Sequence, residues 1–349
     1  MIEKFTVSRD DGIYECFPDV ALTDSGRLVC VFSQCNHHGD RRNNRIMLCD
    51  SADRGRTWTP KRMLVENDRE GWYYNCPRIT RLADGRLAVL VDQLPMLELR
   101  SGVPVEEWRN FLWFSDDDGG TWTAPVETPA VGGVPDRLVE LDTGRWLLSC
   151  HAMVEGFDWY VQRLWYSDDK GANWSGPVLA ARREELILCE GSVVQVSGGS
   201  LACFLRENSC QGRDCYKTVS HDAGEHWSEP IRFPLPGCHR PVAGRLADGH
   251  ILITYRFLQG GGDHAGGWTQ NLFAAITDGE SAMAPSRRGA WTRILPIDFD
   301  RSPAADTGYS GWVQFDDGEI YIVNYLLDDA PTAQIRGYSL RMEDFLLET

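Results

Sequence analysis

Residues Ser51–Trp58 read SADRGRTW, and the same Ser-x-Asp-x-Gly-x-x-Trp spacing returns as SDDDGGTW at Ser115–Trp122, SDDKGANW at Ser167–Trp174 and SHDAGEHW at Ser220–Trp227. The copies start 64, 52 and 53 residues apart. Each follows a strand-like run (RIMLCD, FLWF, RLWY, YKTV). An Asp/Gly turn that leads back to a Trp suits a hairpin whose aromatic packs beneath its own turn. TDGE at Thr277, with Trp291 delayed by an insertion, reads as a degraded fifth copy.

A second pattern interleaves with the first: a strand, a tight Gly-containing turn and an apolar strand, as in FPDVALTDSGRLVCVFS or YSGWVQFDDGEIYIVNY. It occurs six times, with turn glycines at Gly26, Gly85, Gly144, Gly199, Gly249 and Gly318, spaced by 59, 59, 55, 50 and 69 residues. Each period holds about four short strands and almost no helical periodicity, the content of one β-propeller blade. The predicted fold is therefore all-β, a six-bladed propeller. A chain of 349 residues would suggest two domains at about 150 residues each. A blade buries its faces only against neighbouring blades, so the repeats predict one domain over residues 1–349.

Composition narrows the partners. A formal charge of −16 repels phosphate backbones and anionic lipid alike, so no nucleic-acid or membrane partner is expected. No apolar run is long enough for a membrane span. The odd count of 11 cysteines cannot pair fully within one chain, and MIEKFTVSRDDG lacks the pattern of a signal peptide. Together these predict free thiols and a cytoplasmic location. Cys76, Cys189, Cys238 and His239 lie near blade starts but lack metal-ligand spacing, so neither a metal nor a cofactor is expected. GGGDHAGG, from Gly260, lacks the Lys-Ser/Thr of a phosphate loop and reads as a flexible loop, a candidate lid.

The eight-residue repeat is the Asp box, and four copies on a six-blade period resemble the sialidase superfamily and its relatives with bacterial neuraminidase repeats. In that family Asp boxes order turns away from the active face. The resemblance thus assigns no chemistry to Asp53, Asp117, Asp169 or Asp222.

Counting from the turn glycines places the inward side chains in rings. Nine residues before each glycine stand Phe17, Cys76, Pro135, Glu190, Arg240 and Tyr309. Alternation puts Asp19, Arg78, Arg137, Ser192, Val242 and Gly311 on the same face, seven before. Seven after stand Ser33, Asp92, His151, Arg206, Arg256 and Tyr325. So many polar groups near a buried axis point to a binding site. The candidate substrate-binding set is Arg206, Arg240, Arg256, Arg78, Arg137, Asp19, Asp92 and His151. Trp72, Tyr73, Tyr74 and Trp159 could stack on sugar rings or pack between blades.

The resemblance adds roles. Sialidases open a blade with a catalytic Glu and carry an Arg about sixteen residues on, matched here by Glu190 and Arg206. Their nucleophile is a Tyr in a Gly-Tyr-Ser context, matched by Tyr309. A phenol needs a carboxylate to take its proton as it attacks, which makes Glu190 the base. A Tyr nucleophile is a known exception to the two-carboxylate rule of glycosidases. Asp40, in CNHHGDRRNN, stands in a place like the family's general acid. It equally fits a loop carboxylate paired with a neighbouring Arg, and His37 and His38 are alternative acids or bases.

Two departures matter. Pro18 and Asp19 replace the family's first Arg motif, and Thr269 and Gln270 stand where its third Arg precedes a strand like NLFAAITD. The expected activity is exo-cleavage of a terminal acidic sugar from an oligosaccharide or glycoconjugate, with ordinary sialosides as weak substrates unless other arginines compensate. The alternatives are a uronate-cleaving polysaccharide lyase, using His37, His38, His151 or His239 with the arginines, and a non-catalytic glycan-binding propeller.

Overall fold

A computed structural model describes residues 2–258 and 269–345. Six antiparallel sheets succeed one another along the chain, and apart from one split strand and one strand from the start of the chain each strand pairs with its sequence neighbour within the sheet. The first blade comprises Tyr14–Leu22, Leu28–Cys35, Arg45–Ser51 and Arg62–Glu66. In the second, the innermost strand is split into Trp72–Tyr74 and Arg78–Arg81, both paired with Leu87–Pro95. The third to fifth blades begin at Val139, Leu188 and Cys238. The sixth runs Gly308–Gln314, Ile320–Leu326, Gln334–Leu340, and takes its outermost strand, Glu3–Ser8, from the start of the chain. That pairing closes the ring, a link no local sequence signal announces. The one α-helix among the described residues is Gly279–Met283. The segment from Gly260 proposed as a lid lies outside the described residues.

Burial follows from the stacking of blades. LVCVFSQC at Leu28–Cys35 and IYIVNYL at Ile320–Leu326 are buried at every position, because each middle strand is covered on both faces by neighbouring blades. The outer strands Arg62–Glu66 and Glu3–Ser8 are largely exposed or half-buried. Each fully buried side chain of the Phe32 or Phe204 kind contributes about 1.5–3 kcal/mol.

The Asp boxes lie between the third and fourth strands and share one hydrogen-bond pattern. In the first, the Ser51 hydroxyl accepts from the Gly55 amide at 2.8 Å and donates to Asp53 at 2.8 Å, Asp53 also accepts from the Thr57 amide, and the Trp58 indole donates to the Gly55 carbonyl. The other three repeat this with Asp117, Asp169 and Asp222. The degraded copy keeps only an echo, the Trp291 indole donating to Asp278 at 2.9 Å. Turn glycines Gly26, Gly85, Gly144, Gly249 and Gly318 hold φ between +82° and +91°. In the fourth blade Gly198 takes the left-handed position instead of Gly199.

One irregularity recurs where the site is built. The innermost strands of blades one, four, five and six each carry a register shift, between Cys16 and Asp19, Cys189 and Ser192, His239 and Val242, and Gly308 and Gly311. Within the shifts Phe17, Glu190, Arg240 and Tyr309 have φ of +56°, +50°, +49° and +52°. A bulge re-aims the side chain it carries, and left-handed backbone on a non-glycine residue costs about 1–3 kcal/mol. All four stand nine residues before their turn glycines, in the ring read from the sequence.

Candidate active site

Glu190, Arg206 and Tyr309 converge although they come from two blades. The Tyr309 hydroxyl donates to Glu190 Oε1 at 2.5 Å. Arg206 Nη1 donates to both Glu190 oxygens, at 2.9 and 3.0 Å, and to the Tyr309 hydroxyl at 3.3 Å. Behind Glu190, its own amide donates to His151 Nδ1 at 3.2 Å, which fixes the strained backbone turn. Burial pushes His151 down to about 4, so this ring is a neutral acceptor.

Two more guanidinium groups face the phenol, Arg256 at 5.0 Å and Arg240 at 5.7 Å from the ring centroid. Arg256 donates to the Thr307 carbonyl and to the Tyr325 hydroxyl at 3.1 Å. Arg240 donates through Nη2 to the Pro135 carbonyl at 2.6 Å, while its Nε and Nη1 are buried without a hydrogen-bond partner. Burial would raise the Glu190 carboxyl, but Arg206 and Arg240 outweigh it and hold it at about 2. Tyr309 moves the other way, raised by burial and by the Glu190 charge. The shared proton therefore rests on the phenol, and it can pass to Glu190 only as the phenol oxygen bonds to an electrophile.

Other expected residues serve the scaffold. Asp19 has no exposure and accepts from Arg137 and from the amides of Val20 and Ile79, with Arg78 Nε at 3.2 Å. Arg78 also donates to the Ser310 carbonyl, beside Tyr309 in sequence. These three form an ion cluster one layer deeper along the strands than the phenol, so Asp19, Arg78 and Arg137 answer one another and do not line the Glu190–Tyr309 cluster. Gly311 belongs to the same packing, since a Cβ there would fall 2.0 Å from Asp19 Oδ1. Asp92 is likewise spent, accepting from the Cys76 and Val134 amides at 2.8 and 2.7 Å and from Asn75. Asp40 makes no hydrogen bond to the cluster. Its carboxylate is chelated by Arg42 and bonded to Asn36, which holds it well below the usual carboxylate range, so in this arrangement it has no proton to give. Tyr73 is buried against Arg41 and Arg100, whereas Trp159 is exposed. Cys238 and Cys189 are buried thiols, and among the described residues no group of His, Cys, Asp or Glu has metal-binding geometry.

Comparison with known proteins gives this geometry a setting. A family model described as "BNR repeat-like domain" matches residues 96–322, well over half of the chain. The chain belongs to the BNR repeat-like family. Among curated relatives of this BNR-repeat propeller, a sialidase of Paraclostridium sordellii is 22% identical over 271 residues, covering 66% of this chain. The chain spans 62% of that sialidase's length. Among solved structures, a Dyadobacter fermentans protein of unknown function superposes with a TM-score of 0.79 at 20% identity, covering 97% of this chain and 99% of the other. A Hadza microbial sialidase superposes with a TM-score of 0.69 at 18% identity, covering 95% of this chain and 66% of the other. The fold of this BNR-repeat propeller is thus that of the sialidases.

Two site residues escaped the register reading. Arg41 is buried, with Nη1 3.5 Å from the sulfurs of Cys16 and Cys35 and its guanidinium over Phe17 and Tyr73, at 4.7 and 5.5 Å. Asp306 accepts from Tyr14 and from Tyr325, at 2.7 Å for the latter, and lies 2.5 Å from His38 Nδ1. Both lie on loops, outside any strand period. The one signal in the sequence for Asp306 is its place three residues before Tyr309 in the loop entering the last blade.

Proposed function

We propose that this BNR-repeat propeller is an exo-acting glycoside hydrolase of sialidase type that cleaves a terminal acidic sugar from an oligosaccharide or glycoconjugate. The observation that carries the reading is the 2.5 Å hydrogen bond from Tyr309 to Glu190, bridged by Arg206. Tyr309 Oη attacks the anomeric carbon while its proton passes to Glu190. The bond to the leaving oxygen breaks, and that oxygen takes a proton. Water then attacks the glycosyl-tyrosine, giving a proton back to the group that protonated the leaving oxygen, while Glu190 returns its proton to the phenol oxygen. A phenol is neutral before attack, so it avoids the repulsion an anionic nucleophile would meet from a sugar carboxylate.

Arg206, Arg240 and Arg256 are the groups assigned to that carboxylate. The unpartnered Nε and Nη1 of Arg240 suit it best, since a buried guanidinium edge without an acceptor costs free energy until one arrives. Phe17 fills the left-handed position of blade one and packs 4.7 Å from Tyr309. An apolar ring there favours a substrate held differently from an ordinary sialoside. The cysteines are all buried, and free thiols such as Cys16, Cys76, Cys150 and Cys189 fit work in a reducing compartment such as the cytoplasm.

The second reading is β-elimination on a uronate, favoured by the His38–Asp306 pair beside the arginines. A panel of aryl glycosides, including sialosides and glucuronides, together with a uronate polysaccharide, separates the two. Release of the aryl group, lost in Tyr309→Phe, supports hydrolysis. An unsaturated product absorbing in the ultraviolet supports elimination, and binding without turnover of any of them supports a lectin-like propeller.

A further inference from the structure

If the chain is a hydrolase, its leaving group needs a proton donor, and the ionised Asp40 does not supply one. Reciprocal backbone hydrogen bonds between His37 and Asp40, each 3.0 Å, close a tight turn that sends Asp40 outward to Arg42. The same turn sends His38 inward. Its ring meets Phe17 edge-on at 5.6 Å, and Phe17 in turn packs on Tyr309 at 4.7 Å. The His38 side chain is 38% exposed, whereas Tyr309, Glu190 and Arg206 are all under 9%. In an exo-acting enzyme the terminal sugar sits inside and the aglycone points out, so the donor belongs at this more open edge.

We propose that His38 is the catalytic acid for the leaving group and that Asp306 is its positioning residue. Asp306 is held as an anion by its surroundings: it accepts from Tyr14 and Tyr325, and Arg256 lies 3.6 Å away. An anion 2.5 Å from Nδ1 keeps a proton on that nitrogen, which leaves Nε2 to exchange with substrate. In the first step imidazolium Nε2–H gives its proton to the glycosidic oxygen as the C–O bond breaks and Tyr309 bonds to the anomeric carbon, its phenol proton going to Glu190. In the second, neutral Nε2 takes a proton from the attacking water while Glu190 reprotonates Tyr309, and the imidazolium is restored. The charged and titratable groups facing His38 are Asp306, Arg41 on its own loop, Arg256 from blade five, and the hydroxyls of Tyr14 and Tyr325 through Asp306. The part of the ring packed against Phe17 and Tyr14 loses hydration, and this, with Arg41 and Arg256, lowers the imidazole below its ordinary value against the pull of Asp306.

The inference rests on the hydrolase reading, and leaving-group dependence separates the two. Two glycosides of one acidic sugar are compared, one with a fluorogenic aryl leaving group that needs no acid and one with a sugar aglycone that does. His38→Ala is expected to lower kcat on the sugar aglycone by roughly 10²- to 10⁴-fold and on the aryl glycoside by less than about 10-fold. His38→Asn, which keeps a donor to Asp306, shows the same split if the Ala variant fails to fold. Asp306→Asn loses activity with the same leaving-group bias and moves the alkaline limb of the pH profile to lower pH. Equal losses by the His38 variants on both substrates, or a leaving-group-dependent loss in Asp40→Asn instead, overturn the assignment alone. Failure of the wild type to turn over either glycoside overturns the hydrolase reading and the assignment together.

Discussion

Replacing Tyr309 by Phe removes one atom and leaves the surroundings standing. The ring contacts with Phe17, Arg256 and Arg240, at 4.7, 5.0 and 5.7 Å, involve the ring and not the hydroxyl. What is lost is the 2.5 Å bond to Glu190 and the 3.3 Å bond from Arg206. One hydrogen bond to a charged group contributes about 1.5–3 kcal/mol. With an unfolding entropy of roughly 2.1 cal/mol/K per residue, a 349-residue chain changes its Tm by only about 3 °C for 2 kcal/mol. Glu190 keeps both bonds to Arg206, so the carboxylate stays ionised. Activity should respond on another scale. Without a phenol oxygen no glycosyl-tyrosine forms, and the residual path is water attack assisted by Glu190. A loss of at least about 10³-fold in kcat is expected, about 4 kcal/mol in the barrier. Steady-state kinetics on a fluorogenic acidic glycoside, with a thermal melt of the same preparation, gives both numbers. A variant that folds and retains more than about a tenth of wild-type kcat would refute Tyr309 as nucleophile.

Three further outcomes follow from the same geometry. Asp19→Asn removes the carboxylate shared by Arg78 and Arg137 and is expected to destabilise the chain by about 3–5 kcal/mol, seen as a lower midpoint in chemical denaturation, with KM for an acidic glycoside unchanged at permissive temperature. Arg240→Ala or Arg256→Ala should raise KM or lower kcat/KM for an acidic glycoside by roughly 30- to 1,000-fold, the loss of one charge-assisted partner, and efficient sialoside turnover surviving both would show the carboxylate is held elsewhere. Glu190 is held at about 2, below its ordinary 4.5, so its contribution to stability is present above about 4.5 and lost as pH falls through about 2. Melting curves across that window should be flatter in Glu190→Gln than in the wild type, and identical slopes would contradict the assigned shift.

The fold was legible because turns and periods are local. An Asp box spends its Ser, Asp, Gly and Trp within eight residues, and a blade's tight turn names its own strands. Counting back from the glycines even reached the four residues of the strained bulges, since register carries along a strand. It could not separate the ring of side chains that meets at Glu190 and Tyr309 from the ring beneath it. Asp19, Arg78 and Arg137 share the inward face with Tyr309 yet pair with one another across three blades, and which inward charges neutralise each other is decided between strands far apart in sequence. His38 and Asp306 are 268 residues apart and meet only because the ring closes. Asp40 illustrates the opposite error: proximity in sequence to two arginines left open which one it binds, and the turn geometry gave it to Arg42 while burying Arg41 against two thiols.

On the proposed function, the four bulges at Phe17, Glu190, Arg240 and Tyr309 set stability and chemistry against each other at the same residues. Glycine at any of them would relax the left-handed backbone and remove the side chain from the cluster together, and a β-branched residue would keep bulk but fit the backbone worse still. Selection for a sturdier ring and selection for a working site therefore pull in opposite directions at these positions. Stabilising substitutions found by screening for thermal resistance should accumulate at the outer strands and Asp-box turns, and a hit at any of the four should come with lost turnover.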